Sequence, residues 1–191
     1  MKFLLLILSL FFLISLSIYS HNLSKNCDSC VIYLRNNFYE ATTNENFNEK
    51  LEKFILKNFG HIPEKYPAKI LAYYGVIQAL KAKFTLNLYS KYKHVTKGLF
   101  YLNQAVILDS TSLEIRFLRF AVLDKIPAVF GIGDKREQDL RFIYNCLLNL
   151  NFSELDYYWQ THIARFAVES GRLHKNENFN LKKLYPSISS K

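Results

Sequence analysis

Apolar residues recur along most of the chain at spacings of three and four, the rhythm that gives an α-helix one buried face. Val31, Leu34 and Phe38 mark a first helix over residues 28–39. Phe47, Leu51, Phe54, Ile55 and Phe59 mark a second, with N-cap candidates in Thr42-Thr43-Asn44 and a stop at Gly60. The strongest segment runs over residues 67–86. Pro67 suits its first turn, and Ile70, Tyr73, Ile77, Leu80 and Phe84 form one stripe. Residues 87–94 are polar and Tyr-rich and read as a connector before a helix over 95–108. Ser110 or Ser112 can cap the next helix, which passes through Leu113 to Phe120. Pro127, Gly131 and Gly133 interrupt the chain. Asp134 and Glu137 then fit a capping box ahead of a stripe of Leu140, Ile143, Tyr144 and Leu147. Ser153 and Asp156 precede a helix that turns Trp159, Ile163, Phe166 and Ala167 inward and ends at Gly171. The pattern predicts an all-α fold of about seven short helices in stacked antiparallel hairpins. Residues 21–171 form one domain, and the polar stretch 172–191 is expected to fray.

A second stripe on the strongest helix is made of small residues: Ala68, Ala72, Gly75, Ala79 and Ala82. Such a row lets a neighbouring backbone approach closely, and the expected neighbour carries Gly98, Leu102 and Ala105. Those three residues have the small–large–small spacing of the second helix of a tetratricopeptide repeat, with Ser110 where that repeat places proline. No second copy occurs at the 34-residue period, so the fold expected is tetratricopeptide-like, without a repeat array.

The middle of the chain resembles a group of uncharacterised exported helical proteins of flavobacterium-type bacteria. The residues that carry the resemblance are Ala72-Tyr73-Tyr74-Gly75, Ala79 to Lys83, Leu113 to Phe120, and Pro127 with Gly131. It covers residues 67–143 and implies an exported bacterial protein with helical packing. It implies no activity.

The first residues alter the expected location. Lys2, the apolar run Phe3–Ile14 and the small residues Ser15, Ser17 and Ser20 make a secretory signal over residues 1–20. The run is short for a membrane span and is followed by serines, so cleavage is favoured over an uncleaved anchor, with no stable span after signal removal. The mature protein is then exported, periplasmic or secreted. Only 6 Gly and 4 Pro with 50% hydrophobic content argue against a strand-and-turn architecture and against disorder. A formal net charge of +9 points to an anionic partner, and outside the cytoplasm that means lipid head groups, envelope polysaccharide or acidic protein ahead of nucleic acid.

The candidate chemistry is sparse. Cys27 and Cys30 form a CxxC ahead of a helix, without the preceding strand of a thioredoxin site and without the histidine of a haem attachment motif. In an oxidising compartment the pair reads first as a structural disulfide, then as unpaired thiols, and last as a redox or metal site or a thiol-dependent enzyme. Cys146 lies in an apolar helix and reads as a small hydrophobe. The five histidines show no metal spacing, and no catalytic or cofactor motif stands out, so the expectation is a non-enzyme with no cofactor or metal. Arg116 and Arg119 are one turn apart in an otherwise apolar helix and need carboxylates or an anionic ligand; Glu114, Asp124 and Asp139 are the candidate partners, and an ion-pair network is preferred. From Lys65 to Lys97 there are seven lysines and no acid, with tyrosines between them. Lys81, Lys83, Lys91, Lys93 and Lys97 are candidates for a patch that meets an anionic membrane or polysaccharide, the alternative being an ordinary solvated face. The function expected is a non-catalytic helical binding or scaffold module of the cell envelope. Its groove lies between hairpins and its partner is a protein or an anionic component; a peripheral role at an anionic surface is the alternative.

Overall fold

The computed structural model describes residues 27–127, 131–149 and 155–188; residues 1–20, expected to be a secretory signal, and Ser153 lie outside them. Within those residues the chain folds as α-helices with two 3₁₀ turns and no strand. In chain order the helices are α1 (residues 27–41), α2 (Glu45–Phe59), α3 (Ala68–Phe84), α4 (Leu88–Leu108), α5 (Leu113–Asp124), α6 (Gly133–Leu148), α7 (Tyr157–Glu169) and α8 (Lys175–Leu184). The 3₁₀ turns are Pro63–Lys65 and Pro186–Ile188.

Local chemistry sets several of the ends. Asn44 accepts from the Phe47 N–H, Ser112 from the Ile115 N–H and Asp156 from the Trp159 N–H, each satisfying a backbone donor that the first helical turn leaves open. Gly60 and Gly171 follow the ends of α2 and α7 with φ of 80° and 68°, a region costly for any residue with a Cβ.

α3 is the axis of the molecule. It packs against α2, α4 and α5, and every residue from Ile70 to Ala79 is buried. A helix apolar on all sides has no other stable place. Around it Leu34, Leu51, Ile55, Leu102 and Ile115 complete a first core. A second core joins Phe120, Leu140, Ile143, Leu147, Ile163, Ala167, Leu181 and Tyr185. α5 is the wall between the two, giving Ile115 and Leu118 to the first and Leu113 and Phe120 to the second.

The row of small residues on α3 meets the neighbour expected for it. A Cβ on Gly75 would stand 2.9 Å from the Gly98 carbonyl oxygen and 2.9 Å from Leu102 Cγ. One on Gly98 would stand 2.6 Å from both the Gly75 carbonyl oxygen and Ala79 Cβ. The α3 and α4 backbones therefore touch, and only hydrogen fits between them.

Three expectations need correction. Residues 88–94 are the first turns of α4, not a connector. Asn87 caps them by accepting from the Ser90 N–H, and the Leu, Tyr and Lys content tolerates a helix without a buried stripe. The polar stretch after Arg172 does not fray throughout: α8 forms there and drives Leu181 and Tyr185, both fully buried, into the second core. Leu181 and Tyr185 are spaced by four, so one face of a mostly polar helix is enough to dock it. Asp134 and Glu137 form no capping box. α6 opens at Gly133 with Ile132 in the cap position, and Glu137 instead pairs with Arg141 at 2.7 Å.

Candidate functional site

The outer face of α4 stands out because nothing in the described chain covers it. From Leu80 to Lys97, the last turn of α3, the link and the first half of α4, no residue is buried. Beyond Gly98 the inner stripe of α4, Leu102, Ala105 and Val106, is buried against the first core. Tyr89, Tyr92, Thr96, Phe100 and Ile107 are spaced so that they share the opposite face, and Leu86 and Leu88 stand at the link. Leu86 is 96% exposed, Leu88 81%, Tyr89 76% and Tyr92 61%. Isolated apolar side chains on a surface are ordinary, but here several fall on one hairpin, and Tyr89, Tyr92 and Phe100 share one depression.

Tyr89, Tyr92, Lys93, Thr96, Lys97, Phe100 and Tyr101 line an open depression of about 470 Å³ on this face. Its floor is held by a train of rings running into the core. Phe100 meets Tyr101 at 5.3 Å between centroids, Tyr101 meets Tyr74 at 5.2 Å, Tyr74 meets Tyr66 at 5.6 Å and Tyr66 meets Phe59 at 5.9 Å. The Tyr66 hydroxyl donates to the Gly60 carbonyl and anchors the inner end. Burial, helped by the Glu52 carboxylate, pushes the Tyr74 phenol up to about 12, so it stays a neutral member of the stack. Ring contacts of this kind add stabilisation beyond their area.

The lysines divide into two groups. Lys81 pairs with Glu52 at 2.7 Å, and Lys83 donates to the Thr42 carbonyl at 2.7 Å, so both tie α3 to α2 and the turn before it. Lys93 and Lys97 sit in the depression, with Lys97 Nζ 5.9 Å from the Tyr74 ring centroid. Lys91 lies one turn into α4 from Leu88. No acidic residue occurs anywhere from Lys65 to Leu108; the acids that act on the hairpin come from outside it, Glu52 on Lys81 and Lys97 and Glu64 on Tyr101.

The arginines form an ion-pair network. Arg119 grips the fully buried Asp139 with two hydrogen bonds of 2.7 and 2.8 Å and donates a third, of 3.0 Å, to Asn103. Arg116 reaches the same carboxylate at 3.0 Å and the Ser110 carbonyl at 3.1 Å. Of the three candidate partners, Asp139 serves both arginines. Asp124 pairs with Arg172 and Lys125. Glu114 is taken by a cluster that sequence reasoning missed. Arg35 donates twice to it at 2.7 Å, and the buried Tyr73 hydroxyl donates at 2.6 Å. Burial and the Glu114 carboxylate hold the Tyr73 phenol well above its ordinary range. The partly open space beside this cluster is about 20 Å³, room for a single water.

Cys27 and Cys30 are free thiols here, in place of the disulfide expected. Cys30 is turned into the first core beside Val31 and Leu34, and Cys27 packs against its edge. Burial pushes both thiols up; for Cys27, Asp28 and Cys30 add to the effect and Lys69 opposes it. A nucleophilic cysteine needs the reverse shift. Cys146 is half-buried at the second core. Among the described residues no three His, Cys, Asp or Glu side chains converge as metal ligands, and no helix is long and apolar enough to cross a membrane.

The chain matches no protein family, no curated protein and no solved structure.

Proposed function

We propose that this protein is an exported, non-catalytic helical module that binds an anionic component of the cell envelope through the outer face of α4. The observation that carries this reading is the exposed set Tyr89, Tyr92 and Phe100, set among Lys93 and Lys97 on a hairpin without acids. Rings supply contact area at low entropic cost, and lysines supply attraction that survives at a wet surface. The apolar run Phe3–Ile14 behind Lys2 supports export. The nesting of Gly98, Leu102 and Ala105 against Gly75 and Ala79 supports a tetratricopeptide-like hairpin as the scaffold.

Reversing Lys93 and Lys97 together to Glu tests the reading. At about 1 kcal/mol per lysine near an anionic surface, binding to acidic vesicles or an acidic polysaccharide should fall about 30-fold, with an unchanged circular dichroism spectrum. Equal binding by the parent and the double variant would remove α4 as the working surface.

A further inference from the structure

We propose that the α3–α4 hairpin tip inserts into an anionic phospholipid bilayer. Leu86 and Leu88 enter the boundary between head groups and acyl chains, Tyr89 and Tyr92 rest at head-group level, and Lys91, Lys93 and Lys97 meet the phosphates. This rests on α4 being the working surface and names the partner.

Three observations converge on a bilayer. First, among the described residues the most exposed large apolar side chain is Leu86, Leu88 is also largely in water, and both sit at the link where two helices turn back. They contribute nothing to either core, yet burial away from water would stabilise each of them. Second, the tip has reach. From Gly98, where α4 touches α3, to Leu88 the helix rises about 15 Å at 1.5 Å per residue, more than the 5–10 Å by which interfacial helices sink into a membrane. Third, the residues just behind the link suit an interface: Tyr89 and Tyr92 alternate with Lys91 and Lys93, rings that rest at head-group level beside long stems that can lift their charges to the phosphates.

Other occupants use only part of this surface. A soluble polyanion would engage the lysines and leave Leu86 and Leu88 in water. A second copy of the chain, meeting this face across a two-fold axis, would set Lys93 and Lys97 against their own copies, with Glu52 already committed to Lys81 and Gln78.

The test uses the full chain with Leu86→Trp, the parent being the control because its one tryptophan, Trp159, lies on α7. The vesicles contain equal parts phosphatidylcholine and phosphatidylglycerol. The added emission should shift to the blue on binding and be quenched by brominated acyl chains, while the parent's is not. Leu86→Asp with Leu88→Asp, two exposed positions, should retain the fold and lose at least about tenfold in vesicle affinity. If the variant sediments with vesicles but its added tryptophan stays in water, insertion is overturned and the α4 reading stands. If the parent ignores vesicles but binds dextran sulfate, the bilayer is overturned and the α4 reading stands. If it binds neither, both fall.

Discussion

At Gly98 two backbones meet, and the identity of one residue decides how closely. Gly98→Ala would bring a Cβ to 2.6 Å from Ala79 Cβ and the Gly75 carbonyl oxygen, with backbone on the receiving side. Alanine favours a helix over glycine by about 1 kcal/mol, so an exposed site would gain stability. Here overpacking of about 1–3 kcal/mol or more should win, and the melting temperature should fall. Gly133→Ala, with nothing near its Cβ, should leave it level or higher. Asp139 offers a second residue-level measurement. Asp139→Ala leaves the Arg119 guanidinium buried without its carboxylate and should lower the unfolding free energy by about 3–5 kcal/mol in a urea titration. A loss below about 1 kcal/mol would mean that the arginines are not held by this carboxylate. The sequence showed that Arg116 and Arg119 needed partners, because two cations in an apolar helix are costly. It did not show which carboxylate, because Glu114, Asp124 and Asp139 differ only in where the fold carries them.

At the scale of the helix, the apolar rhythm was legible wherever a helix has a core on one side. The stripes of α2, α6 and α7 and the small-residue row of α3 all face where their spacing placed them. Two elements escaped. The first half of α4 has no core beneath it, so its residues lack the periodic signal, and α8 signals through little more than Leu181 and Tyr185. Carboxylates that tie helices together give these contacts a pH dependence. Burial works to raise the Glu52 and Asp124 carboxyls, but hydrogen bonds outweigh it, from Lys81 and Gln78 to the first and from Arg172 and Lys125 to the second, and both are lowered. A carboxyl lowered in the folded state stabilises above its unfolded pKa, about 4, and that contribution is lost as pH falls through the folded value. Urea midpoints should therefore hold from about pH 7 to about 5 and drop below about 4. Asp124→Asn should lower the midpoint at neutral pH and flatten the acid limb. An unchanged acid limb would exclude Asp124 as a contributor.

Across the whole molecule, α3 belongs to two environments. From Ile70 to Ala79 it is enclosed by the first core, and from Leu80 it runs out beside α4 with no buried residue until Gly98. Amide hydrogen exchange should register this as a gradient from the root of the hairpin to its tip. Amides in 70–79 should exchange only when the molecule unfolds globally, and those in 85–97 through small local openings. Uniform protection along α3 and α4 would show that the hairpin end is held as firmly as its root. Such a gradient would give the protein an element that frays and re-forms while its two cores stay intact, and a tip of that kind would follow the contour of whatever it meets at little cost to the rest of the fold.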